Sequence, residues 1–218
     1  MVVVEHVRSF MFRAYGPESH AGVLGKAFYF MTGFGHAAVM VFFVMSGFLV
    51  GGKALEQIGA GTFSWQKYVA DRTGRLYGVY LVALLLGGTL DYFGYHHFNG
   101  FGLYDRSFSG NFAAVNYDFH AGLTPTVFAL NLVMCQTILG PVFGSNSPLW
   151  SLANEFWYYL AGPILFLLLC ARRPRQIILC VGVLAGVMWY LPGYMLVCSL
   201  VWLLGAALLR WGKGGTGL

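Results

Sequence analysis

The sequence predicts an all-α protein: a polytopic transmembrane helix bundle of about seven membrane helices, the first of them truncated. Three observations carry that expectation. Only 10% of the 218 residues are charged and 58% are hydrophobic, whereas a soluble globular domain carries about 25% charged residues. Apolar runs long enough to cross a hydrocarbon core recur along the chain, with turn residues between them. Aromatic residues reach 17% and glycines number 30, a composition suited to interfacial anchoring and close helix contact. Strand-like alternation is absent, and backbone groups inside a bilayer must be satisfied within each segment, so every spanning piece is expected to be helical.

The elements follow in chain order. The first helix, over residues 1–15, is short: about a dozen apolar residues precede Gly16-Pro17, and charge enters at Glu5. A spanning helix needs about 20, so the chain is expected to begin partway through one. A loop at 16–27 leads to a second helix at 28–50. A polar segment at 51–71, holding Lys53, Glu56, Lys67 and Asp71, separates it from a third helix at 72–92. Residues 93–123, rich in Gly, Asn, His and Asp, read as a long connection, followed by a fourth helix at 124–139. The Gly140-Pro141 to Pro148 loop precedes a fifth helix at 149–170. Arg172-Arg173-Pro174-Arg175 ends it, a sixth helix covers 176–191, and Pro192-Gly193 opens a seventh that runs to about residue 210. One transmembrane domain thus covers 1–211, with a disordered tail at 212–218.

The net charge of +5 lies in short inter-helix segments. That pattern sets orientation against anionic headgroups, and nucleic acid is not expected as a partner. Simple alternation nevertheless puts Lys53–Arg75 and Arg172–Arg175 on opposite sides, against the positive-inside tendency. A re-entrant piece within 93–123 would restore parity. Cys135, Cys170, Cys180 and Cys198 form no CxxC and read as small buried hydrophobes; no metal site is expected.

Ionisable groups in spanning helices are costly and mark candidate sites. His6 shares a helix face with Val2, Ser9 and Arg13, and Glu5 is spaced to pair with Arg8. A partly dry histidine can serve as a general base near neutral pH; a plain interfacial helix end is the alternative. Glu155 lies in the otherwise apolar Leu149-Trp150-Ser151-Leu152-Ala153-Asn154-Glu155-Phe156-Trp157-Tyr158-Tyr159, with Ser151 and Tyr158 or Tyr159 on its face. It reads as a working carboxylate or as a structural tie between helices. Arg72 and Arg75, three apart, suit phosphate, or simply anchor the helix. His96, His97, His120, Asp105 and Asp118 match no compact metal motif and could line an acceptor site.

Three of these pieces, in order, resemble membrane acyltransferase family 3, the type that O-acylates sugars and other hydroxyl compounds. They are Phe42-Phe43-Val44-Met45-Ser46-Gly47-Phe48-Leu49, the Arg72–Arg75-Leu76-Tyr77 turn, and Leu149-Trp150-Ser151-Leu152 with Glu155 and Tyr158. His6 stands where the family has a first-helix histidine. The resemblance implies acyl transfer, typically of acetyl from acetyl-CoA, to a hydroxyl of a glycan or similar acceptor. His6 and Glu155 would be catalytic, the histidine as base and the carboxylate orienting groups in the bundle or supporting the histidine. Arg72 and Arg75 would contact CoA phosphates, and Ser151 and Tyr158 would bind substrate. Ser46 is given a packing role beside Gly47. No bound cofactor is implied; acyl-CoA is a donor substrate. The partners would be acyl-CoA, the acceptor and membrane lipid, in the bacterial inner membrane. The family also has about ten helices and an arginine about eleven residues before the histidine, so a fragment cut at both ends is expected. Two other readings stand beside the enzyme: an inactive membrane-domain remnant, and a transporter.

Overall fold

The computed structural model describes residues 1–13, 15–16, 22–105 and 118–214, with backbone alone at 101 and 210–214. Among the described residues the regular structure is helical, with an isolated bridge between Gln136 and Gly140 and no strand. The helices are α1 (Val2–Met11), α2 (Val23–Thr32), α3 (Gly35–Ser46), α4 (Gly52–Gly59), α5 (Trp65–Phe98), α6 (Pro125–Leu132), α7 (Leu149–Cys170), α8 (Pro174–Tyr190) and α9 (Gly193–Gly214). A π-helical turn, Gly47–Gly51, joins α3 to α4.

Several boundaries differ from the sequence expectation. The second helix starts at Val23, breaks at Gly33-Phe34, and continues through the π turn to Gly59, so most of the expected polar segment at 51–71 is helical. Arg72 therefore lies two turns inside α5 rather than at its start. That helix has 34 residues, about 51 Å at 1.5 Å per residue, and runs well past a hydrocarbon core. The fifth helix begins and ends where expected, at Leu149 and Cys170. The last helix continues to Gly214, three residues into the expected tail, and 215–218 lie outside the described residues.

The fourth helix departs most. Thr124 caps α6 by accepting from the Val127 N–H, and Pro125 sits at its first position. It then stops after eight residues, about 12 Å, too short to cross about 30 Å of hydrocarbon. Met134 and Thr137 follow with φ of 58° and 64°, a left-handed conformation that β-branched and bulky residues rarely adopt. Side chains hold the turn. Asn131 donates to the Val127 and Pro141 carbonyls, Gln136 to that of Leu149, and Trp157 to that of Met134. Among the described residues three segments are long and apolar enough to cross a membrane: Val23–Gly59, Trp65–Phe98 and Leu149–Cys170. Pro174–Tyr190 and Gly193–Leu209 are shorter apolar helices. Of the seven expected spans, three have that length and apolarity among the described residues.

Helix direction follows from paired residues. On α7, Trp150 meets His36 and Phe43, Glu155 meets Ser46, and Phe166 stacks on Trp202 beside Gly51. Helices α3, α7 and α9 therefore run the same way. Helix α5 runs against them, with Tyr77 edge-on to Phe156 and Asn146 at Gly87. Consequently Lys53, the start of α5 and the Arg172–Arg175 turn share one end of the bundle. Parity is restored not by a re-entrant piece within 93–123, as expected, but because the expected fourth span is only the short α6, Pro125–Leu132, and does not cross; residues 106–117 lie outside the described residues.

Two apolar clusters make the core. One joins Phe43, Val50, Ala54, Ile58, Tyr158, Phe166 and Trp202; the other joins Leu76, Tyr80, Leu84, Met134, Leu149 and Ala153. Helix α9 lies so close to α3 and the π turn that a Cβ on Gly47 would collide with the Trp202 carbonyl, and one on Gly205 with that of Val44. Glycine is required at both for the backbones to meet. Outside the core, large apolar side chains such as Val79, Leu86, Leu179 and Trp189 are exposed, the surface expected of a body solvated by lipid rather than water.

Candidate functional site

The close approach of α9 delivers the centre of the site. Glu155, 4% exposed, faces inward from α7. Its Oε1 accepts from the Ser46 hydroxyl at 2.5 Å and from the Tyr159 hydroxyl. The Ser46 and Tyr159 oxygens are themselves 3.3 Å apart, closing a triangle. Above Ser46, the indole N–H of Trp202 donates to its Oγ at 3.2 Å. A serine hydroxyl has one proton and two lone pairs, so Ser46 can receive from Trp202 and donate to Glu155. Three helices thus tie one carboxylate in the middle of an apolar bundle.

Toward the basic end, Lys53 of α4 and Lys67, Asp71 and Arg72 of α5 line a pocket of about 280 Å³ together with Gln57, Thr62, Ser64 and Tyr68. The Arg72 guanidinium lies 6.0 Å from the Tyr68 ring centroid and within electrostatic reach of Glu155. The Tyr68 hydroxyl and Arg72 Nε are both buried with no partner among the described residues. Unpaired buried polar groups are costly, and both residues belong to the lining of this pocket. Arg75, one turn on, is exposed and does not line it. Of the two arginines expected to contact phosphate, the pocket gathers one and adds two lysines that their sequence positions mark only as topology determinants.

The other expected residues fall as follows. His6 is half-buried on α1 and makes no side-chain hydrogen bond among the described residues. Beside it, Arg8 pairs with Glu5 at 3.8 Å, donates to the Tyr29 carbonyl at 3.3 Å and lies over that ring. Glu5 in turn rests against Gly35, the first residue of α3, where a helix N-terminus favours an anion. This places the His6 turn at the end of α3 opposite Lys53. Ser151 and Tyr158 do not join Glu155: the first donates to the Pro148 carbonyl at 3.0 Å and the second to that of Met195 at 2.7 Å. Tyr159, not Tyr158, holds the carboxylate. Ser46 is a hydrogen-bonding member of the site rather than a packing residue. Trp202 is absent from the sequence expectation altogether; it lies 156 residues from Ser46 in the chain, and no local pattern marks it.

The loop residues near the far end are mostly engaged. Asp91, 4% exposed, accepts from the Ser145 N–H and hydroxyl at 2.6 and 2.7 Å, pinning the 140–148 loop to α5. Burial, and then the Asp91 charge, push the Tyr104 phenol above its ordinary value. His120 stacks on Tyr95, His96 bonds the Tyr92 carbonyl, Asp105 accepts from Asn99, and Asp118 accepts from the Ala121 N–H. The cysteines are free; Cys135 and Cys180 are buried as expected, whereas Cys170 is exposed. An apolar groove of about 400 Å³ between α7, α8 and α9 carries no converging polar groups.

A helical, lipid-solvated bundle that buries a hydrogen-bonded carboxylate and opens a cationic pocket at one end is a membrane protein with an internal polar site. The acyltransferase domain family model matches residues 1–216, nearly the whole chain, and the protein belongs to that family. The chain is also 27% identical over 169 residues to the acyltransferase MdmB of Streptomyces mycarofaciens. That alignment takes in 78% of this chain and 38% of the relative, so the chain spans well under half of that protein's length. No solved structure matches it.

Proposed function

We propose that the protein is a membrane-embedded O-acyltransferase that moves an acyl group, acetyl in the expected case, from acyl-CoA to a hydroxyl of a glycan or similar acceptor. The observation that carries the donor assignment is the cationic pocket. Lys53, Lys67 and Arg72, against the single carboxylate of Asp71, give the pocket a net positive charge that suits the phosphates of a CoA donor. The basic ends of α4, α5 and α7 then face the cytoplasm of a bacterial inner membrane, where positive charge is retained and where acyl-CoA is made.

The chemistry asks little more. The acceptor oxygen attacks the thioester carbonyl carbon as His6 takes its proton. The carbon–sulfur bond breaks, and CoA leaves as a thiolate that is reprotonated. A thioester is already activated, so holding the reactants in line in a dry site, with a base at hand, supplies most of the barrier reduction. Arg72, with Arg75 at the pocket's approach, would hold the donor, and Glu155 would support the polar centre. Ser151 and Tyr158 remain candidates for substrate contact only after leaving their backbone partners.

The test is acyl transfer from labelled acetyl-CoA in membranes that carry the full chain. His6→Ala is expected to lower the rate by about 100-fold or more, the range of a lost general base. An unchanged rate would refute the base assignment.

A further inference from the structure

Both hydroxyl donors to Glu155 converge on one oxygen. Oε1 accepts from Ser46 and from Tyr159, while Oε2 accepts from none of the described residues and is not among the buried unpartnered atoms. The carboxylate is therefore asymmetric: one oxygen receives both hydroxyls, and the other has no donor among the described residues. The occupying hydroxyls come from different elements. Tyr159 is one turn beyond Glu155 on α7, whereas Ser46 ends α3 at the π turn. Trp202, 1% exposed, reaches across from α9 to fix the Ser46 rotamer. Its ring is itself clamped between Phe166, stacked at an 11° interplanar angle, and the glycines Gly51 and Gly162.

We infer that Ser46, Tyr159 and Trp202 are positioning residues that occupy Glu155 Oε1 and leave Oε2 as the working oxygen of the polar centre between the cationic pocket and His6. The inference rests on the acyltransferase reading. Two charge-assisted hydrogen bonds on one oxygen remove the torsional freedom of the carboxylate and set where its free lone pairs lie. Trp202 acts one step removed, through Ser46. The arrangement also gives the π turn a role: an i→i+5 bulge directly after Ser46 lets the Gly47–Gly51 backbone settle against Trp202.

The experiment compares full-chain variants in membranes with labelled acetyl-CoA, recording kcat and the KM for the donor separately. Ser46→Ala and Tyr159→Phe are expected to lower kcat about 10- to 100-fold, the equivalent of one lost hydrogen bond to a charged group. The donor KM is expected to stay within about twofold, because the cationic pocket is untouched. Ser46→Thr, which keeps the hydroxyl, is expected to recover most of kcat. Trp202→Phe keeps the stack on Phe166 and is expected to cost only severalfold. A Ser46→Ala enzyme with normal kcat overturns the inference. So does an equal loss in Ser46→Ala and Ser46→Thr, which would mark packing alone, and so does a Glu155→Gln enzyme of normal kcat. A wild type that transfers no acetyl group overturns the function itself and the inference with it; an active wild type with an unmoved Ser46→Ala overturns only the inference.

Discussion

A single methyl group placed on Gly47 tests whether the close α3–α9 seam holds the site together. In Gly47→Ala the new Cβ would lie 2.8 Å from the Trp202 carbonyl carbon and 3.2 Å from the Ala206 nitrogen, with the Trp202 oxygen nearer still. All three are backbone atoms, so no side chain can swing aside and α9 must move away. Overpacking of this kind costs about 1–3 kcal/mol. For a chain of this size about 2–4 °C of thermal midpoint accompanies each kcal/mol, so the midpoint should fall by about 2–12 °C. Because Trp202 moves with α9, its 3.2 Å bond to Ser46 should break and acyl transfer should fall with it. Gly182→Ala is the internal control. That glycine lies inside α8, and a Cβ added to it would meet nothing within 4 Å. Replacing a mid-helix glycine by alanine there gains about 0.5–1 kcal/mol, a rise of about 1–4 °C. The assay is thermal unfolding of both variants in the same detergent, followed by transfer rates. Equal shifts for the two variants, or a Gly47→Ala protein with unchanged midpoint and rate, would refute the claim that backbone contact at Gly47 seats Trp202.

Two further outcomes follow from the basic end of the bundle. Lys53→Ala, Lys67→Ala and Arg72→Ala should each weaken acetyl-CoA binding severalfold and flatten its salt dependence, whereas Arg75→Ala should weaken it less; titration calorimetry at two ionic strengths checks this, and an Arg75 effect as large as that of Arg72 would contradict the pocket. Single cysteines placed near Lys53 and near Arg173 in a cysteine-free chain should label from the same membrane side, since α3 and α7 run the same way; labelling from opposite sides would reject that arrangement.

Parts of this architecture are legible in the chain before any fold is known. The Leu149–Cys170 helix is legible to the residue because Pro148 precedes it and the arginine-rich turn follows it, and both are local signals. The short α6 is not legible. Its apolar run continues through Leu139 as though still helical, and hydropathy does not register that Met134 and Thr137 turn left-handed. That turn exists because Asn131, Gln136 and Trp157 satisfy its carbonyls from elsewhere. The pocket lysines are likewise visible as charges but not as partners, since Lys53 and Lys67 lie on different helices.

By itself the sequence determined the solvent, the helical class and the identity of the costly polar residues, because composition and local periodicity answer directly to the bilayer. It also carried the family, through motifs that are contiguous in the chain. Only the tertiary structure decided which hydroxyl holds Glu155, that Trp202 anchors Ser46, and that Arg72 rather than Arg75 enters the pocket. Those choices depend on which way helix faces turn and how closely two backbones approach. Gly47 and Gly205 set that approach between α3 and α9, segments separated by roughly 150 residues of chain.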